Sequence, residues 1–175
     1  MTITKLEPIQ EKHVYEIFQL IEENRAYLSQ HLTADHLPQT EEDALYMIQN
    51  AVALYTRREG LLAGIRQSGQ VVGMIGLHDM DATNRAARLV MWVGLDHQRQ
   101  GLGFRAMRAM IKHGFMEVGL NRLEFRCAAD NQPAHELAAK LKFTHEGQLR
   151  QALVLADLPA DAALYSLLLS DWIGL

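Results

Sequence analysis

The sequence predicts an α/β (α+β) fold: a mixed, mostly antiparallel sheet of about seven strands with helices on both faces. Three observations point there. Extended patterns at Leu61–Arg66, Gln70–His78 and Ala87–Leu95 follow one another with only short turns between them, as in an antiparallel meander. A long helical pattern, Leu102–Val118, then separates Ala87–Leu95 from the alternating stretch Arg122–Cys127, as in a strand–helix–strand crossover. Phe143–Leu155 and Ala162–Leu169 close the chain as a last pair of strands around Leu158-Pro159-Ala160-Asp161.

Taken in order, Ile3–Leu6 reads as a short first strand that Pro8 closes. His13–Asn24 carries Val14, Ile17, Phe18, Leu20 and Ile21 near helical spacing, and a second short helix is expected over Arg25–His31. Thr33–Gln39, with Pro38, reads as a loop. Thr40 and the acids Glu41, Glu42 and Asp43 form a helix start, a hydroxyl cap followed by carboxylates at the positive end of the helix dipole. Leu45, Ile48, Val52 and Tyr55 mark the apolar stripe of that helix, which ends before Gly60. Ser68-Gly69 is a hairpin signal and Asp81–Asn84 another turn. In Leu102–Val118 the stripe is Met107, Met110, Ile111, Gly114, Phe115 and Val118, and Gly119 stands where a helix ends in a left-handed residue. Asn131 caps a further helix that ends near Lys142, with Pro133 in its first turn, where no amide donor is missed.

Composition limits the function. A chain of 175 residues, 49% hydrophobic and 22% charged, fits one core-bearing globular domain over residues 1–175. No run approaches the ~18 apolar residues of a membrane span, and Met1–Lys5 lack the apolar centre of a secretory signal. A cytoplasmic protein with no membrane partner is expected. The single cysteine, Cys127, excludes an internal disulfide and a multi-cysteine zinc site. Its alternating strand context favours a buried apolar role over nucleophilic catalysis. The eight histidines are scattered, His31 and His36 being the closest pair, and no metal site is expected. A net charge of −4 with both signs interspersed argues against nucleic acid, which calls for a basic face, and permits a cationic acceptor such as an amine.

Chemistry concentrates at Trp92-Val93-Gly94-Leu95-Asp96-His97-Gln98-Arg99-Gln100-Gly101-Leu102-Gly103, where a strand runs through a glycine-containing turn directly into a long helix. Such a start leaves amides unpaired and a partial positive charge facing outward, a seat for phosphate. Gly101 and Gly103 let the backbone approach an anion, and Arg99 and Arg105 add positive charge. A plain structural turn is the alternative that spacing alone leaves open. The nucleoside-triphosphate P-loop pattern is absent. Gly101-x-Gly103-x-x-Ala106 matches the loose dinucleotide fingerprint, but a meander precedes it, and Glu124 falls inside its strand rather than at the strand's end.

The window Gln98-Arg99-Gln100-Gly101-Leu102-Gly103 resembles the acetyl-CoA motif of the GNAT N-acetyltransferase superfamily. Asp130-Asn131-Gln132-Pro133-Ala134, Lys142-Phe143 and Glu146-Gly147, with Trp92 and Asn24, are similar to its ribosomal-protein N-terminal serine and alanine acetyltransferases. The likeness is strongest from Met91 to Gly147. It implies two neighbouring parallel strands, Ala87–Leu95 and Arg122–Cys127, splayed into a wedge for the pantetheine arm of the co-substrate acetyl-CoA. It further implies that main-chain groups of Trp92, Val93, Gly94 and Leu95 bind that arm, with Val93 polarising the thioester carbonyl. Gln98, Arg99, Gln100, Gly101, Leu102, Gly103 and Phe104 would hold the pyrophosphate, and Asn131, with His135 one turn on, would contact the arm.

The implied reaction is direct attack of an amine on the thioester, which requires a base, an oxyanion donor and an acid for the departing thiolate. Here the sequence departs from its relatives. The subgroup's serine falls on Ala134, the glutamate of some relatives on Leu153, and no tyrosine lies in Asn131–Lys142. His78 and Glu124 are the candidate replacements, with His97 and Glu23 behind them. A structural histidine at a strand end and an ion pair of Glu124 with Arg122 or Arg126 are the bland readings beside them. The expected acceptor is a protein N-terminal α-amine. A polyamine, an antibiotic, or a non-catalytic acyl-CoA-binding role are the alternatives. Tyr27, His31, His36 and Tyr46 lie in the region that would choose the acceptor, without a motif. Ala163–Leu169 could pair two copies as a homodimer or be buried within one.

Overall fold

The computed structural model describes residues 5–172. Strands β1 (Lys5–Pro8), β2 (Leu61–Gln67), β3 (Gln70–Asp81), β4 (Ala86–Val93), β5 (Arg122–Ala128), β6 (Thr144–Leu155) and β7 (Leu158–Leu168) alternate with helices α1 (Val14–Leu28), α2 (Glu41–Arg57), α3 (Leu102–Met116) and α4 (Gln132–Lys140). The strands form one sheet in the order β1-β2-β3-β4-β5-β7-β6. Every neighbouring pair is antiparallel except β4 and β5, which α3 joins by a crossover. The predicted layering holds.

Strand alternation sorts side chains between two cores. On one face Ile75, Leu77, Leu89, Leu123 and Phe125 meet Met107, Met110 and Ile111 of α3. On the other Met74 and Trp92 meet Ile17, Leu20 and Ile21 of α1 and Ile48 of α2. Each such side chain contributes about 1.5–3 kcal/mol of transfer free energy. The buried stripe of α2 is Ala44 and Ile48, while Val52 and Tyr55 are 39% and 56% exposed. The expected stripe therefore fails at its C-terminal end. The Thr40 cap is as expected, its Oγ accepting the Asp43 amide at 3.1 Å while the Asp43 carboxylate accepts the Thr40 amide at 3.0 Å.

Several boundaries differ from expectation, each for a local reason. Helix α1 continues to Leu28, so the separate helix over Arg25–His31 does not form. Nothing in Asn24-Arg25-Ala26 breaks a helix, and Arg25 pairs with Glu22 one turn back while also reaching the Pro38 carbonyl. Residues Ile3 and Thr4 of the expected first strand lie outside the described residues. Pro8 is the last residue of β1 and closes it as expected, on an edge strand where a missing donor is tolerated. Helix α3 ends at Met116 and α4 at Lys140, each about half a turn early. Strand β4 stops at Val93, because Gly94 and Leu95 already turn toward α3. The last hairpin turns at Ala156-Asp157, with φ of 47° and 65°, rather than over Leu158–Asp161. A two-residue turn with both φ positive matches the twist of the flanking strands, so β7 starts at Leu158. Finally, β7 pairs with β5 on one edge and β6 on the other. The apolar run Ala163–Leu169 is thus accounted for inside the sheet, and it offers no free strand edge to a second copy.

Candidate active site

The parallel pairing of β4 and β5 covers only Ala86↔Arg122 through Leu89↔Phe125. Beyond it the strands diverge. Val90–Val93 stay paired with β3, and Arg126–Ala128 stay paired with β7. The result is a wedge, closed at Leu89 and Phe125 and open toward α3 and α4. The amide of Gly94 donates to the Val72 carbonyl at 2.8 Å. Main-chain groups alternate along a strand, so Trp92 also faces β3, whereas Met91 and Val93 turn their N–H and C=O groups into the wedge.

Of the four residues expected to meet the arm, Val93 therefore opens most directly on it. Its carbonyl accepts the Gln98 side-chain amide at 3.3 Å, and its N–H faces the gap. The Gly94 amide is committed to Val72, and the Leu95 amide to Asn24 Oδ1 at 2.7 Å. Their carbonyls accept the His97 and Gln98 amides at 3.0 and 3.2 Å. Trp92 is buried against α1.

The start of α3 forms the other half of the site. Arg99 and Gly101 have φ of 58° and 70°, which turns the chain sharply into the helix. The Arg105 amide bonds the Gly101 carbonyl at 3.1 Å, so the amides of Leu102, Gly103 and Phe104 ahead of it are the open ones. A Cβ on Gly103 would stand 3.1 Å from Met91 Cε. The first turn of α3 thus rests on the lip of the wedge, and the anion seat and the wedge are contiguous. Gln100 braces the turn, its amide donating to the Asp96 carbonyl at 3.3 Å and its oxygen accepting Gln67 Nε2 at 2.9 Å.

Helix α4 supplies the opposite lip. Asn131 Oδ1 accepts the Ala134 amide at 3.2 Å, capping the helix, and its Nδ2 faces His31 Nδ1 at 3.3 Å. His135 has both ring nitrogens engaged within the protein, with Tyr165 Oη at 2.6 Å and the Ala129 carbonyl at 3.0 Å. Cys127 is buried, and burial pushes its thiol up to about 11, so it is protonated rather than nucleophilic near neutral pH.

His78 and Glu124 share one face, in a row across the closed end of the wedge. His78 stands opposite Arg88, and Arg88 opposite Glu124. Two strand spacings separate His78 from Glu124, about 10 Å, with Arg88 between. Burial, then the neighbouring His36, hold the His78 imidazole below its ordinary pKa, and its Nε2 is buried without a partner among the described residues. The His36 ring meets His78 edge-on, centroids 5.6 Å apart. Glu124 is ion-paired with Arg122 at 3.1 Å and Arg126 at 3.2 Å. His97 lies in the turn before α3, its Nδ1 3.2 Å from Gln67 Oε1. A cavity of about 430 Å³ opens elsewhere, where Leu6, Leu61 and Ala63 face Ala106, Met110 and His113. It contains no residue of β4 or β5.

Asn24 and His31 are the contributors that sequence reasoning left without a role. Asn24 entered only as a point of likeness, and His31 only as part of the acceptor region. Their partners lie 71 and 100 residues away, so no local pattern connects them.

The family model for the acetyltransferase (GNAT) domain matches residues 4–144. The ribosomal-protein-serine acetyltransferase of Escherichia coli is 31% identical over 162 residues, 93% of this chain and 90% of its own. A solved acetyl transferase from Salmonella typhimurium, which modifies the N-terminal serine of a 50S ribosomal subunit protein, superposes with a TM-score of 0.87 at 26% identity. The match covers 96% of both chains. A ribosomal alpha-N-protein acetyltransferase solved in complex with coenzyme A gives a TM-score of 0.91 at 24% identity, covering 98% of this chain and 97% of its own, which speaks for the fold.

Proposed function

Because the chain belongs to the GNAT acetyltransferase family, we propose that it transfers the acetyl group of acetyl-CoA to a protein N-terminal α-amine, with a ribosomal protein as acceptor. One observation carries the reading: a wedge between two parallel strands opens directly onto a helix start whose first amides have no partner within the helix. That combination suits a ligand with a diphosphate at one end and a narrow amide-bearing arm at the other. The acceptor class rests on the relatives that act on ribosomal proteins. Such an acceptor places the reaction in the cytoplasm. No helix among the described residues is long and apolar enough to cross a membrane. The sheet runs unbroken from β1 to β6, which supports the whole chain acting as one acetyltransferase domain.

In this reading the amides of Leu102, Gly103 and Phe104 hold the diphosphate. The Val93 N–H donates to a carbonyl oxygen of the arm or to the thioester oxygen as charge develops there. The ammonium of the acceptor first loses a proton. Its nitrogen then attacks the carbonyl carbon, and the carbon–sulfur bond breaks as the nitrogen sheds its second proton and the sulfur takes one up through water. His78, held neutral by burial and positioned at the closed end of the wedge, suits the first step better than Glu124, which two arginines occupy. Ala134 and Leu153 bring no exchangeable proton, so water serves the thiolate.

The test is release of free thiol from acetyl-CoA with peptides beginning in serine or alanine, and with polyamines and aminoglycosides as alternatives. Turnover on the peptides is expected. Binding of acetyl-CoA without turnover on any amine overturns the transfer, and absence of binding overturns the cofactor assignment as well.

A further inference from the structure

Helix α1 and the turn after it cross the open end of the wedge and touch both lips. Asn24 holds the lip at the end of β4, accepting the Leu95 amide at 2.7 Å while its own amide donates to the Leu20 carbonyl at 2.8 Å. His31, seven residues further on in the turn that follows α1, meets the other lip at Asn131, 3.3 Å away. The end of α1 and its following turn thus span the gap through which the arm would enter.

The Asn131 contact determines which nitrogen of His31 carries hydrogen. Asn131 Oδ1 is committed to the Ala134 amide at 3.2 Å. The Asn131 amide is oriented by that cap, so the group facing His31 is its NH₂, which only donates. His31 Nδ1 must therefore accept, and the hydrogen of the neutral ring lies on Nε2. Burial holds His31 below its ordinary pKa against the opposing charge of Asp130, so the neutral ring persists at neutral pH. The edge of the Tyr27 ring packs against the imidazole, centroids 4.9 Å apart, and limits its rotation. No described residue accepts from Nε2–H.

Resting on the acetyl-transfer reading, we propose that His31 is a binding residue whose Nε2–H donates to an amide carbonyl oxygen of a substrate at the mouth of the wedge. Two substrates carry such an oxygen: the pantetheine arm, and an acceptor peptide at its first peptide bond. The donor is fixed in direction before either arrives, because Asn131 and Tyr27 hold the ring, and that lowers the ordering cost of binding. Protonation of the ring at low pH places a second hydrogen on Nδ1 against the Asn131 NH₂. The donor should therefore lose its orientation as pH falls below the ring's own pKa.

Three measurements test this. A proton–nitrogen correlation spectrum of the histidine rings should show the Nε2–H tautomer for His31; an Nδ1–H tautomer overturns the proposal. His31→Leu should weaken acetyl-CoA affinity, by calorimetry, or raise the peptide KM, in either case about five- to tenfold, the loss of one hydrogen bond. His31→Gln, which keeps an N–H donor near the same place, should recover most of it. A weaker acetyl-CoA affinity assigns the oxygen to pantetheine, and an effect confined to the peptide KM assigns it to the acceptor. If neither parameter moves while the wild-type protein binds acetyl-CoA and acetylates the peptide, the role of His31 is overturned and the proposed function stands. If the wild-type protein binds no acetyl-CoA, both fall.

Discussion

Glu146 accepts hydrogen bonds from both terminal nitrogens of Arg122, at 2.8 and 2.6 Å, and from Ser166 Oγ at 2.6 Å. The Arg122 bonds, then Ser166, hold its carboxyl down to about 2 from an ordinary 4.5. A carboxylate whose folded pKa is depressed stabilises the fold above its unfolded pKa and loses that contribution as pH falls through the folded value. The loss should thus spread over pH 4.5 to about 2. Melting curves of Glu146→Gln should lie below wild type at pH 7 and converge on it near pH 2. High salt should narrow the gap at pH 7, because the pair is partly exposed. At the phosphate seat, Gly101 has φ of 70°, and a Cβ there would stand 2.9 Å from an Arg105 nitrogen. Gly101→Glu adds bulk and negative charge where the diphosphate would sit. It should abolish acetyl-CoA binding in calorimetry while the protein still melts cooperatively; unchanged affinity would make the turn merely structural. The motif residues Gln98–Gly103 were legible because turn chemistry is local. The row His78–Arg88–Glu124 was not, since its members belong to three strands and meet only through register.

At the scale of elements, the lip of the wedge depends on how closely β3 approaches β4. A Cβ on Gly73 would stand 2.3 Å from the Trp92 carbonyl oxygen and 2.9 Å from Val93 Cα, both main-chain atoms that cannot swing aside. Gly73→Ala should displace β4 at the very residues that would face the cofactor in the proposed reading. We expect about 1–3 kcal/mol of destabilisation, read by urea unfolding, with a loss of acetyl-CoA affinity larger than in a control such as Gly69→Ala, where a Cβ meets nothing within 4 Å. Element types were predictable from periodicity, whereas several ends were not. The continuation of α1 through Arg25 and the start of β7 at Leu158 depend on neighbours and twist. The exposure of Val52 and Tyr55 was likewise not legible in the spacing of apolar residues.

At the scale of the whole molecule, the wedge divides the sheet into β1–β4 and β5–β7–β6, joined at its closed end by the four parallel pairs and held across its mouth by Asn24 of α1 and by His31 of the turn after it. A ligand seated there binds the folded form alone and should stabilise it by about 2.7 kcal/mol at a hundred times its Kd. For a chain of this size that is a rise in Tm of about 5–10 °C. Acetyl-CoA should produce it in a thermal melt and free adenosine should not; no shift at saturating acetyl-CoA would mean that the folded chain does not bind it. Sequence alone determined the mixed sheet, the helices around it, the glycine turn into α3 and the resemblance to a family that uses acetyl-CoA, because periodicity, capping and turn chemistry act over a few residues. Only the tertiary structure decided that Val93 keeps an open main-chain group while those of Gly94 are taken, that β7 is interior, and that Asn24 and His31 reach the two lips. Those facts depend on strand register and helix placement, which bring together groups far apart in the chain.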